Sequence, residues 1–268
     1  MKPSEKDTLI FLEFVVFRFL VFEILWRRHF RGKKAAAVAS WIKRHCAEGW
    51  IRGRQLDKCR KFYQLTDKAV AHLRSLGHRV SRSTSSPPKG YAKAVRYAAL
   101  LYCTNEKEPH ILLYRPSEHL DKFPDLAAHI EATNTDPFRQ KIFYADGDTL
   151  GYLVLDRGQH QFFGRKVLPH LQSLFGRKKR DGANFLIDPD QPGWPSMRLR
   201  LEHNKFRLTL VTVTDARRYE LEREIKRAKL PHAQEVVVLP DIANVLPTRR
   251  RLESTATKQP LLFPQEKR

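Results

Sequence analysis

The chain of 268 residues is poor in the groups on which chemistry is most easily read. It has three cysteines, Cys46, Cys59 and Cys103, and two methionines. An odd cysteine count at irregular spacing argues against a disulfide framework and fits a reducing compartment. No C-x-x-C pair and no Cys/His spacing offers a zinc site, and the histidines form no H-E-x-x-H cluster. G-x-x-x-x-G-K-[ST] and G-x-G-x-x-G are absent, which removes the usual phosphate cradles, and G-x-S-x-G is absent, which removes the serine-hydrolase elbow. The sequence asks for no cofactor. It also lacks an uninterrupted membrane span. The longest apolar stretch, Leu9–Trp26, is broken by Glu13, Arg18 and Glu23, and no cleavage-site pattern follows it. Charges at those positions are costly in a bilayer, so two buried helices are expected there, in a cytoplasmic protein without a membrane partner.

Negative charge is scarce too. Fifty Lys+Arg stand against 29 Asp+Glu, a formal net charge of +21. The excess is uneven. Residues 1–90 hold 20 basic and 7 acidic side chains, residues 91–247 hold 24 and 20, and residues 248–268 hold 6 and 2. A positive field concentrated on one module points to an anionic partner, nucleic acid first.

Periodicity predicts helices over Thr8–Phe17, Leu20–Phe30 and Lys33–Glu48, the last stopped by Gly49. In the third, Ala36, Val38, Ala39, Ile42 and Cys46 recur at helical spacing. Strands follow at Trp50–Arg54 and Arg60–Leu65. Thr66 or Asp67 then caps a helix through Leu73 that ends near Gly77. Helix, helix, helix, ribbon, helix is the order of a winged helix. Its third helix would enter the major groove of duplex DNA with Lys33, Lys34, Ser40, Lys43 and Arg44. The hairpin 51–62 would lay Arg52, Arg54, Lys58, Arg60 and Lys61 against phosphates.

The stretch 79–90, RVSRSTSSPPKG, reads as a linker. The expected organisation is therefore a winged helix over 1–78, the linker, a mixed α/β domain over 91–247, and a flexible basic tail over 248–268. The fold class is α+β. In the second domain a hairpin is expected from Val95–Tyr102 and His110–Tyr114, and a helix over Glu118–Glu131. Strands follow at Lys141–Tyr144 and Leu150–Leu155 around ADGD, then a helix over His160–Phe175. A second hairpin is expected from Met197–Glu202 and Phe206–Thr212, then a helix over Ala216–Lys229 and a strand at Gln234–Leu239.

Candidates for chemistry lie between 146 and 166. Asp146 and Asp148 flank a hairpin tip, Asp156 ends the next strand and Lys166 follows on a helix. Converging carboxylates with a lysine could hold Mg²⁺ or Mn²⁺ for phosphodiester hydrolysis. From spacing alone the ordinary reading of these residues is turn chemistry, since Asp-Gly-Asp is a strong hairpin turn and Asp156-Arg157-Gly158 can simply end a strand.

The segment YLVLDRGQHQFFGRKVLPHL resembles the strand-Asp-Arg-Gly-helix of the plasmid replication-relaxation family. YQLTDKAVAHL and FRLTLVTVTDARRYELEREI are similar to it as well. That resemblance implies a winged helix joined to a restriction-endonuclease-like domain, related to mobilisation relaxases of MobC type. It further implies a duplex-DNA partner, replication control or mobilisation as the setting, and a nucleoid-associated location. The family usually carries a glutamate two residues before the Asp-Arg-Gly aspartate. Val154 stands there, so the metal site loses a carboxylate and an inactive domain used for binding or dimerisation is expected. The alternatives are a metal-dependent nicking relaxase and a winged-helix transcriptional repressor, which as a homodimer would read two half-sites. In the tail, QPLLF resembles the pentapeptide by which replication proteins dock on the bacterial sliding clamp, with Gln259, Leu262 and Phe263 as the anchors.

Overall fold

A computed structural model describes residues 2–78, 80, 82–106, 109–113, 142–147, 149–156, 158, 162–169, 171, 205–228 and 233–246. The chain is mixed α+β, with two sheets.

The first helix, α1 (Glu5–Phe17), opens on a capping box in which Ser4 and Asp7 satisfy each other's backbone and side-chain groups. Arg18 ends it in the left-handed conformation, φ 67°. That costs about 1 kcal/mol in a residue with a Cβ, and it turns the chain sharply. Leu20–Val21, expected within a helix, is consequently a short strand, β1, and α2 (Phe22–His29) begins only after it. Gly32, φ +75°, and a hydrogen bond from Trp26 Nε1 to the carbonyl of Lys33 at 2.8 Å shape the turn into α3 (Ala35–Ala47). Strands β2 (Ile51–Gln55) and β3 (Lys61–Leu65) form a hairpin, and β1 adds to β3, giving an antiparallel sheet in the order β1-β3-β2. Helix α4 (Asp67–Ser75) is capped by Thr66, whose hydroxyl accepts from the amide of Ala69 at 3.4 Å.

The stretch 79–90 is packed where it is described. Residues 82–85 form a 3-10 turn with Thr84 and Ser85 buried, and Gly90 opens α5 (Gly90–Cys103). This helix corrects the strand expected at Val95–Tyr102. A short apolar run does not distinguish strand from buried helix by period alone. Here Ala92, Ala94, Ala98 and Ala99 supply the helix propensity that settles it.

The larger sheet has the order β4-β5-β6-β7-β8, from β4 (Ile111–Leu113), β5 (Ile142–Asp146), β6 (Thr149–Leu155), β7 (Phe206–Thr212) and β8 (Ala233–Val238). The first two pairings are antiparallel and the last two parallel. Gly147, φ +57°, sits in the β5–β6 turn. Both sides of β7 are occupied by parallel neighbours, so the expected antiparallel hairpin over Phe206–Thr212 does not form; Met197–Glu202 lies outside the described residues. A π-helical turn (Phe163–Val167) stands in the expected helix 160–175, and α6 (Asp215–Ala228) follows β7. The helix expected at Glu118–Glu131 and the tail from 248 also lie outside the described residues.

One face of the large sheet, with Ile142, Tyr144, Leu153 and Leu155, joins a hydrophobic cluster that runs through α1, α3, α4 and α5. The other face, with Phe143, Leu150 and Tyr152, packs under α6 and the π-helical turn. The basic amino-terminal module and the larger sheet therefore share a continuous core. Among the described residues no helix is long and apolar enough to cross a membrane.

Candidate functional site

Helix α3 buries Val38, Trp41, Ile42 and His45 and exposes Ala36, Ala37, Ala39, Ser40, Lys43 and Arg44. The split follows the 3.6-residue period. Lys33 and Lys34, just before its first turn, are exposed as well, and that turn holds no acidic residue. The buried side of α3 is tied to α1. Asp7 accepts from Trp41 Nε1 at 2.7 Å and lies 3.1 Å from His45 Nε2. Burial pushes His45 below the ordinary imidazole range, against the pull of Asp7. The outward face is thus presented by a helix with a fixed roll.

On the β2–β3 hairpin, Arg54, Lys58 and Lys61 are exposed. None of Lys33, Lys34, Lys43, Arg54, Lys58 and Lys61 forms an ion pair among the described residues. Two expected phosphate contacts are placed differently. Arg52 donates to the carbonyl of Ser85. Arg60 pairs with Asp57 and donates to Tyr97 Oη at 2.7 Å. Arg44 stands 3.6 Å from Asp7 and is half exposed. The surface that remains open is a band of lysines, one arginine and small side chains.

Asp146 and Asp156, two of the carboxylates considered for a metal, are not brought together. Asp146 ends β5 opposite Thr149, whereas Asp156 follows the far end of β6. Seven residues of extended chain put them about 23 Å apart along the strand. They also differ in face. Asp146 shares its side with Tyr144, and Asp156 shares its side with Val154. Asp148 lies outside the described residues, and Lys166 is exposed on the π-helical turn. Among the described residues no group of three potential ligands is close enough to hold a metal ion.

Asp156 is buried, and Arg217 Nε donates to its Oδ2 at 2.7 Å. Arg217 comes from the first turn of α6 and also meets Glu220 at 2.6 Å and Glu224 at 3.6 Å. Burial would lower the guanidinium, but Asp156 and Glu220 outweigh it and raise it above the ordinary arginine range. The negative charge that a divalent cation would have to neutralise is already balanced from within. Asp146 is met by Arg207 at 3.1 Å.

A buried polar cluster was not anticipated. Tyr144 Oη and Thr209 Oγ1 are 2.6 Å apart, and Thr209 donates to Glu235 at 2.6 Å. Tyr102 of α5 donates to Glu235 and lies 3.1 Å from Tyr144 Oη. His110 stacks on Tyr102 with ring centres 5.0 Å apart. Burial pushes the Tyr144 phenol up to about 12 and raises Tyr102 further still. The only sequence signal was Gly151, which lets the Tyr144 ring cross β6. A Cβ at that position would lie 2.0 Å from the ring. The clamp-like peptide Gln259–Phe263, with Leu262, lies outside the described residues.

In comparisons with known proteins, no family model, no curated sequence and no solved structure matches this chain.

Proposed function

We propose that this chain binds duplex DNA through its amino-terminal module, read as a winged helix, with α3 in the major groove and the β2–β3 hairpin against the backbone. The observation that carries this reading is the open basic band itself. Lys33, Lys34 and Lys43 on and beside α3, and Arg54, Lys58 and Lys61 on the hairpin, are exposed without acidic partners among the described residues, around the small side chains Ala36, Ala39 and Ser40. Small residues allow close approach to a groove floor, and unpaired cations release counterions from phosphates. The element order α1-β1-α2-α3-β2-β3, with the strands arranged β1-β3-β2, supports the same assignment.

The larger unit, with its sequential mixed sheet, is consistent with the endonuclease-like domain that the family resemblance implies. Asp146 and Asp156 are far apart and each is met by an arginine, which favours a non-catalytic role in plasmid replication control or mobilisation. The test is selection of bound duplex from a random pool, then titration of affinity against salt. With about six phosphates neutralised, a log–log slope near −5 is expected. A chain that retains no duplex at about 0.1 M salt would refute the reading.

A further inference from the structure

The charged side chains of the β2–β3 turn do not all face solvent. Arg60 turns inward. Its Nε and Nη2 meet Asp57 Oδ2 at 2.7 and 2.6 Å, its Nη1 donates to Tyr97 Oη at 2.7 Å, and its Nη2 donates to the carbonyl of Asp241 at 2.9 Å. The guanidinium lies 5.2 Å from the Tyr97 ring centre. Tyr97 belongs to α5, and Asp241 lies in the turn after β8. A second tie comes from Lys93 of α5, whose Nζ donates to the carbonyl of Leu56 at 2.6 Å. A third is the carbonyl of Ser85, which accepts from Arg52 and, at 2.6 Å, from Gln64 Nε2.

Three segments outside the hairpin therefore grip it: the 82–85 turn, α5 and the turn after β8. β1 adds only Leu20 and Val21 to the hairpin, short support for a ribbon that is marginal by itself in water, and one that projects only as an arm would not be held at its tip. We propose that the larger sheet unit serves as a rest that fixes the β2–β3 hairpin in its DNA-facing orientation, with Arg60 and Tyr97 as positioning residues rather than phosphate contacts. The proposal rests on the duplex-DNA reading above. It assigns the larger unit a task that needs no catalysis. It also explains why an arginine stands at 60: a planar fork can serve a carboxylate, a phenol and a carbonyl together, which an ammonium cannot do with the same geometry.

The experiment uses the full chain, the duplex recovered by selection, and the variants Tyr97→Phe, Arg60→Ala, Arg60→Lys and Arg54→Ala. Affinity, salt slope and hydrogen exchange of the hairpin amides without DNA are measured. Tyr97→Phe changes no charge. It is expected to speed exchange at the hairpin and to weaken binding about 3- to 10-fold, the scale of one lost hydrogen bond, with the slope unchanged. Arg60→Lys does not restore the wild-type values, and the double variant with Arg60→Ala is no weaker than Arg60→Ala alone. Arg54→Ala lowers the slope by about one and leaves exchange unaltered. If Tyr97→Phe is silent in both exchange and affinity while Arg60→Ala lowers the slope by about one, Arg60 is a phosphate contact and the proposal falls, with the DNA reading intact. A wild-type chain that binds no duplex overturns both.

Discussion

Asp7 accepts a hydrogen bond from the indole nitrogen of Trp41 at 2.7 Å, and through it the first helix sets the roll of the third. Burial by itself would raise this carboxyl. The hydrogen bonds from Ser4 and then from Trp41, with His45 facing it, outweigh burial and bring the value to about 2, from an ordinary 3.8. A carboxylate depressed on folding adds stability above its unfolded value and loses it as pH falls through the folded one. The pair therefore couples the presentation of α3 to one ionised group. Asp7→Asn is expected to lower the unfolding free energy at neutral pH by on the order of 2 kcal/mol. The gap should close as pH falls from about 4 towards about 2. Urea midpoints measured across that window check it; a constant gap would mean that the charge is not the source.

Gly151 is the floor on which Tyr144 lies. With a Cβ 2.0 Å from the ring, Gly151→Ala forces the tyrosine out of its bonds to Thr209 and Tyr102. Overpacking and the loss of buried hydrogen bonds should together cost about 2–4 kcal/mol. Thermal unfolding reads this directly. A shift of a degree or so would show that the sheet yields locally.

Arg217 and Asp156 form a pair in which only the arginine retains appreciable exposure, 13% against 1% for the two side chains. Removing the arginine strands a buried carboxylate. Arg217→Ala is expected to cost about 3–5 kcal/mol, and Asp156→Asn in the same chain should recover part of that loss. A double variant as unstable as the single one would place the cost in the lost packing of the arginine stem instead.

Incubated with supercoiled plasmid and Mg²⁺ or Mn²⁺, the protein is expected to leave the plasmid intact. Asp146 lies at the end of β5 beside the start of β6, Asp156 follows the far end of β6 and faces the other side of the sheet, and each is met by an arginine. Metal-dependent nicking that vanishes in Asp156→Ala would overturn the non-catalytic reading of the larger unit.

Much of the secondary structure was legible because local signals agreed. Thr66 is a side-chain cap and Gly49 and Gly77 sit at positive φ after helices, whereas the apolar set of α3 was legible only in part: Val38 and Ile42 are buried, but Ala36 and Ala39 face outward and Trp41 and His45 take the inward side. Where local signals conflicted, reading failed. Leu20–Val21 has no helix-breaking neighbour in sequence, and only the left-handed Arg18, held by Thr84 from far along the chain, diverts it to β3. The α5 segment is apolar enough for a strand, and its alanines decide against it. Of the candidate interface, the lysines of α3 and the hairpin were legible as exposed cations. The inward turn of Arg60 was not, since its partners Tyr97 and Asp241 are remote in sequence.

By itself the sequence determined the concentration of positive charge in the first ninety residues and the helical character of α3. These follow from composition and from periods that each segment carries alone. The tertiary structure decided which charges remain open, and that the two parts share one core with the hairpin held between them. It also decided that Asp146 and Asp156 never meet. The reason is geometric: Asp146 sits at the β5–β6 turn while Asp156 follows the far end of β6, and only the packed chain shows which arginines then neutralise them.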